Sequence, residues 1–276
     1  MLLNPDTCAF GASEYDETGP MSGTTSLTPG YSNAEAAGWT PVFAATARDS
    51  YELRLYTSGT AVTGVDAEVI TDVAIGPGGS EQILIENLIV SKILTPNEFD
   101  VRPYRFPVFI PAGTRIAMRS QSSHTAGNST NVMVLMQSPS RPEGRFVGAG
   151  VETIGAVTGS SGVGFTPGNS NSWGAYQLLA ASTRRCRWWE LGVSCSNASM
   201  TASLFYWFEL AVGDGSSYDT ILRMMCSTSS SERIFWCPGY GQGEAYDVPA
   251  GANLYVRGQC AGTADTGWNA LAYGAY

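Results

Sequence analysis

A stretch near the middle of this 276-residue chain returns near its end. Ile110-Pro-Ala-Gly-Thr-Arg-Ile-Ala-Met-Arg-Ser-Gln121 aligns with Val248-Pro-Ala-Gly-Ala-Asn-Leu-Tyr-Val-Arg-Gly-Gln259, an offset of 138, which is half the chain. The same offset pairs Thr28-Pro29-Gly30 with Thr166-Pro167-Gly168, Glu52-Leu53 with Glu190-Leu191, and Ile83-Leu84 with Ile221-Leu222. Asp72 to Gly76 aligns with Glu209 to Gly213 at 137, so the following loop gains one residue. Anchors in one order at nearly one spacing mean an internal duplication. The reading is two domains, 1–138 and 139–276, each large enough to fold around its own core. Their boundary is expected near Ser138 to Arg145, where Pro139 and Pro142 interrupt a polar stretch.

Within each half, short apolar runs alternate with Gly, Pro, Asn and Ser clusters. In the first half strands are expected near 42–47, 51–57, 67–75, 82–91, 105–110, 114–122 and 131–137, with at most one helical turn at Ala34 to Ala37. Only 14% of residues are charged, against 32 glycines, so the surface is polar through hydroxyls and amides. The fold class that follows is all-β: two tandem antiparallel β-sandwiches of jelly-roll-like type.

The repeated Pro-Ala-Gly predicts a tight turn with Pro second and Gly fourth. In the strand after it, Leu254, Val256, Gly258 and Cys260 share the core face, which sets Arg257, and by equivalence Arg119, on the outer face. A carboxylate on the neighbouring strand is the expected partner of each.

The halves differ in charge and aromatic content. Residues 1–138 carry a net −7 and residues 139–276 a net −2, while six of seven tryptophans lie in the second half. Adjacent Trp188 and Trp189 on a strand point to opposite faces, so one of them leaves its own core. Leu204 to Val212 is apolar on both faces over most of its length, which calls for a cover. Aromatic residues and arginine favour interfaces, so the candidate interaction surface is Arg184, Arg185, Arg187, Trp188, Trp189, Trp207 and Trp236.

Catalytic chemistry finds little footing. GxSxG is absent, no glycine-rich phosphate loop opens a helix, and the single histidine, His124, sits in a Ser/Thr/Asn/Gly loop. Glu52 and Glu190 are paired by the repeat, which favours a structural role in both halves. Asp214-Gly-Ser-Ser-Tyr-Asp219 offers oxygens for calcium but matches no EF-hand pattern. No catalytic, cofactor or metal residue is therefore assigned, and no cofactor is expected. The six cysteines, Cys8, Cys186, Cys195, Cys226, Cys237 and Cys260, lack zinc spacing and are expected as buried free thiols, with Cys226 and Cys237 the pair to check first if oxidised. Sequons at Asn128 and Asn197 matter only for a chain secreted by a eukaryote. The N-terminus shows no basic start with an apolar run, so cytosolic synthesis is expected. No stretch suits a bilayer, and the acidic charge argues against nucleic acid.

A strand of the Ile-Pro-Ala-Gly-Thr-Arg-Ile type, inside a charge-poor, duplicated β chain, resembles virion structural proteins of tailed bacteriophages, above all capsid decoration (cement) proteins. The resemblance implies a non-enzymatic protein made in host cytoplasm and carried in the virion, with capsid proteins and copies of itself as partners, as a homo-oligomer of trimer type. On it, the second half would grip the shell and the first face outward. Two alternatives stand beside it: a glycan-binding adhesin or tail receptor module, with surface glycans as partners, and a double jelly-roll major capsid protein.

Overall fold

The computed structural model describes residues 15–17, 25–32, 34–60, 69–90, 92–93, 102–123, 129–137, 146–155, 162–195, 204–228, 234–236 and 243–276. His124, Asn128, Asn197, Cys8, Cys237 and the expected linker at 138–145 lie outside them.

The first half contributes β1 (Tyr15–Glu17), β2 (Thr25–Leu27), β3 (Thr40–Phe43), β4 (Glu52–Thr60) and β5 (Val69–Ile75). It continues with β6 (Gln82–Ile89), β7 (Lys92–Ile93), β8 (Arg102–Phe106), β9 (Ile116–Ser122) and β10 (Ser129–Gln137). The second half has β11 (Val151–Ile154), β12 (Val163–Phe165), β13 (Gln177–Ala181), β14 (Trp188–Cys195) and β15 (Phe205–Gly213). It ends with β16 (Tyr218–Thr228), β17 (Ile234–Trp236), β18 (Asn253–Cys260) and β19 (Trp268–Ala275). No helix occurs among the described residues, and Ala34 to Ala37 is irregular.

One first-half sheet runs β1–β10–β4, with β2 also on β10 and β7 and β8 on β4; the other runs β3–β9–β5–β6. The second half repeats both. Strands β11, β12 and β14 gather on β19, and β13–β18–β15–β16 continues to β17. Each pair of sheets is a jelly-roll sandwich, so the duplication seen in sequence is a duplication of topology.

The repeated turn is also built twice. Thr114 N–H donates to Pro111 C=O at 3.3 Å and Ala252 N–H to Pro249 C=O at 3.4 Å. Proline is therefore first and glycine third, one place earlier than the sequence reading put them. Gly113 and Gly251 have φ of 77° and 84°, the left-handed conformation that a side chain resists. Each turn is pinned from the side: the Thr46 hydroxyl donates to Pro111 C=O at 2.8 Å, and the Ser182 hydroxyl to Pro249 C=O at 3.0 Å.

Alternation fills the cores. In β15, Tyr206, Phe208 and Leu210 point inward against Trp268 and Phe165, with the Phe208 and Trp268 rings 4.8 Å apart. The last strand, β19, is two-sided. Trp268, Ala270 and Ala272 belong to the second core, while Leu271, Tyr273 and Ala275 complete the first. A strand covered on both faces loses alternation, and here the cover is the other half of the same chain.

Cys186, Cys195, Cys226 and Cys260 are buried free thiols. Burial, then the neighbouring Glu152 carboxylate, pushes the Cys186 thiol up to about 12. Thiolate is the reactive form, so these four are expected to resist a maleimide until the chain unfolds. Peptide mapping by mass spectrometry checks this, and labelling of any of the four under native conditions would contradict the described packing.

Candidate interaction surface

Three kinds of place on the fold gather polar and aromatic side chains, the second of them once in each half. The first is the joint between the sandwiches. Trp188, at the start of β14, turns away from the second core and donates its indole N–H to Arg105 C=O at 2.8 Å. The Arg105 guanidinium lies 5.2 Å over the Trp188 ring and holds Glu52 with Nε–Oε2 at 2.7 Å. Glu190, only 1% exposed, accepts from Arg105 N–H and Gly243 N–H, each at 3.0 Å. Tyr273, fully buried, donates to Asn87 C=O at 2.9 Å and accepts from Ile89 N–H at 2.8 Å. Gly192 is bare because a Cβ there would stand 2.9 Å from the Tyr273 ring. The Glu52–Glu190 pair inferred from the repeat is thus a pair of structural carboxylates meeting at one arginine.

The second place is the outer face of the sheet built on β15 and β18. Glu209 stands directly opposite Arg257 on β18 and Arg223 on β16. Its carboxylate accepts from Arg257 Nε at 3.0 Å, from Arg223 Nε at 2.6 Å and from the Tyr176 hydroxyl. Burial pushes Glu209 up, but Tyr176, Arg223 and Arg257 outweigh it and hold the carboxyl below its ordinary 4.5. Burial, then Glu209 itself, pushes Tyr176 up to about 12, so the hydroxyl remains a donor. Trp173 and Tyr176 cover the Arg257 guanidinium at 4.7 and 4.2 Å, and Tyr218 stacks on Tyr176 with centroids 3.8 Å apart. Beside this cluster lies a cleft of about 500 Å³, lined by residues including Phe165, Thr166, Tyr176, Gln177 and Asn269.

The first half carries the equivalent cluster with altered charge. Asp72 on β5 stands opposite Arg119 on β9, and the Arg119 Nη2–Oδ2 distance is 3.0 Å. Arg119 also pairs with Glu35 and lies 4.4 Å over the Trp39 ring. The cross-strand carboxylates expected for Arg119 and Arg257 are therefore Asp72 and Glu209, which the repeat itself aligns.

The third place is an arginine ridge. Arg184, Arg185 and Arg187 are exposed. Arg185 forks onto Asp247, with Nε–Oδ1 at 2.8 Å, and Arg187 lies 3.9 Å from the same carboxylate. Arg184 sits 4.1 Å over the Tyr276 ring. The seven residues read from sequence thus divide. Trp189 is fully buried, donates to Tyr246 C=O at 3.0 Å and belongs to the second core, not to a surface. Trp188 does leave its core, but the first half covers it. Trp207 is half-buried on the outer face of β15, and the Trp236 side chain lies outside the described residues. The Asp214 loop closes on itself: Asp214 Oδ1 accepts from Ser216 and Ser217 N–H, both at 2.8 Å, and from the Ser216 hydroxyl. These bonds hold the carboxyl at about 2, and no metal cluster occurs among the described residues.

No protein-family model matches the sequence, and no curated protein does. Among solved structures the chain is similar to PNGF-II, at 10% identity and TM-score 0.39, covering 96% of this chain and 65% of that one. It therefore spans just under two thirds of that protein's length. It is also similar to the cowpea mosaic virus top component, at 10% identity and TM-score 0.31, covering 100% of this chain and 94% of the other. A third likeness is a peptide-N(4)-(N-acetyl-β-D-glucosaminyl) asparagine amidase, at 7% identity and TM-score 0.29, covering 97% and 92%. At such scores no function is carried over from any of them.

Proposed function

We propose that this chain is a non-enzymatic virion structural protein of the capsid-decoration type, holding to a shell through protein–protein contacts. The observation that supports this reading best is the joint. Trp188, Glu190 and Tyr273 lock two sandwiches into a single stiff unit, which suits a part that must bridge neighbouring subunits and transmit load. The polar clusters fit the same role. Glu52, Asp72 and Glu209 are each held by arginine, so they serve as members of ion pairs within the fold. On this reading the exposed ridge Arg184–Arg185–Arg187 faces acidic shell proteins.

Truncation is a poor test, because removing residues 139–276 would strip Leu271, Tyr273 and Ala275 from the first core. Immunogold electron microscopy of the source lysate tests it directly, and gold spread over particle shells is the expected result. A triple Arg184→Gln, Arg185→Gln, Arg187→Gln variant is expected to lose shell binding with only a small fall in melting temperature, because these ion pairs are exposed. Gold confined to tail tips, or on no particle, would overturn the reading.

A glycan-binding role is the second reading, favoured by the cleft beside Tyr176. Its neutral amide, hydroxyl and aromatic lining suits an uncharged saccharide. Titration against a panel of neutral oligosaccharides, with heat release abolished by Gln177→Ala, is the result that would move the assignment there.

A further inference from the structure

The two halves make contact through β6 and β8 on one side and β11, β14 and β19 on the other. The outer face of β13–β18–β15–β16 stands outside that joint, and that of β3–β9–β5–β6 borders it at β6, where Thr153 donates to Glu86 C=O and Tyr273 to Asn87 C=O. These faces are equivalent in the repeat, and their charges differ in sense. On the first-half face Arg119 is shared by Asp72 and Glu35, and exposed Glu86 stands near Glu35, so one cation answers three anions. On the second-half face Glu209, among the described residues, is shared by two cations, Arg257 and Arg223. The strand position facing Asp72 is the Glu86–Asn87 bulge, whereas the position facing Glu209 is Arg223. The excess charges are also the accessible ones: the Arg223 side chain is 54% exposed and that of Glu35 39%.

Each face has apolar surface beside its charge. Phe205 is 52% and Leu178 43% exposed on the second-half side, and Ile83 is 47% exposed opposite Ala74 on the first-half side. Single exposed apolar residues need no explanation, but here they border opposite charges on equivalent faces.

We propose that the basic, aromatic outer face around Arg223 of one molecule docks on the acidic outer face around Glu35 of a second copy. The occupant is a copy of this chain because the chain itself carries both complementary faces and the stiff joint keeps them from meeting within a molecule. Each molecule then offers one donor face and one acceptor face, a head-to-tail contact that closes into rings or runs on as chains. The proposal rests on the particle-building reading and names the contact through which copies join. Burial and the Asp72 carboxylate push Glu35 up, so an incoming guanidinium relieves a carboxylate that Arg119 alone serves poorly.

Sedimentation velocity of the full chain over a concentration series tests this. The wild type is expected to form species larger than a monomer, more weakly as sodium chloride is raised. Arg223→Glu and Glu35→Arg are each expected to weaken association by at least about tenfold, since each sets like charges face to face. An equimolar mixture of the two variants restores opposite charges wherever unlike variants meet, so association is expected to recover as alternating chains and even-membered rings. Arg223→Gln leaves Arg257 and Tyr176 on Glu209 and shows that the chain folds without this guanidinium, with a melting temperature lowered only slightly. A wild type that remains monomeric, a variant that associates undiminished, or a mixture that fails to recover would each overturn the proposal. A monomeric chain that labels particle shells sinks this contact alone. Association without labelled particles sinks the virion reading alone.

Discussion

Gly243→Ala is expected to unfasten the two sandwiches. A Cβ at Gly243 would stand 2.1 Å from the Trp188 indole nitrogen and 2.2 to 2.3 Å from two of its ring carbons, far inside contact distance. The ring is held against such a shift by its hydrogen bond to Arg105 C=O and the overlying Arg105 guanidinium. Overpacking of this kind costs about 1–3 kcal/mol and the lost indole bond about 1 more, so a total of about 2–4 kcal/mol is expected. Gly243 N–H also donates to buried Glu190, so the strain passes to the carboxylate that holds Arg105 N–H. A lower melting temperature, a red-shifted tryptophan emission and faster cleavage between the halves by a dilute protease are the readouts. Adding Trp188→Ala empties the space that the methyl group needs, so the double variant should lose less than the two single changes summed. If Gly243→Ala melts with the wild type, Trp188 does not fasten the joint.

This prediction also marks where the sequence is legible and where it is not. The offset that aligns Asp72 with Glu209 and Arg119 with Arg257 encodes both cross-strand ion pairs, because β registers repeat with the chain. Strands β3 to β6 and β8 to β10 follow from alternation and turn residues, which are local signals, although β3 and β8 lie a few residues earlier than expected and the short β1, β2 and β7 gave no such signal. Adjacent Trp188 and Trp189 show that one indole must leave its core, since neighbours on a strand face opposite ways. What covers that indole is Arg105, 83 residues away, and no local pattern carries such a distance. The run at 204–212 is covered on its outer face at Glu209 and Ala211, both fully buried, and the strand whose second face is covered by the other half is β19. Its small residues, Ala270, Ala272 and Ala275, hide the double burial that Tyr273 creates. Trp173 and Tyr176, in the loop before β13, and Arg223 on β16 share no local pattern with Glu209, although Tyr176 and Arg223 reach its carboxylate and Trp173 covers Arg257. The repeat offered one hint: a carboxylate that faces outward on a central strand needs cations.

Glu209→Ala is expected to destabilise the chain by about 3 kcal/mol, near the lower end for breaking a buried ion pair, because Arg223 retains access to water. Glu209 itself is fully buried, and its loss leaves Arg257 between Trp173 and Tyr176 without an anion. Arg223→Gln, by contrast, should cost no more than about 1 kcal/mol, since its side chain is 54% exposed and Arg257 still neutralises the carboxylate. The asymmetry is the test. It separates a cluster organised around a buried anion from a loose surface pair, in which both changes would be equally mild. The pH dependence carries the same signature. The folded carboxyl titrates below its ordinary 4.5, so its contribution is fully present above that value. It is lost as pH falls from there through the lowered folded value, because the unfolded chain then binds the proton first. Glu209→Gln should flatten that acid limb of a melting-temperature profile while leaving the neutral plateau lower throughout. An acid limb identical to the wild type's would mean that other carboxylates govern acid unfolding and that Glu209 is not held by its arginines.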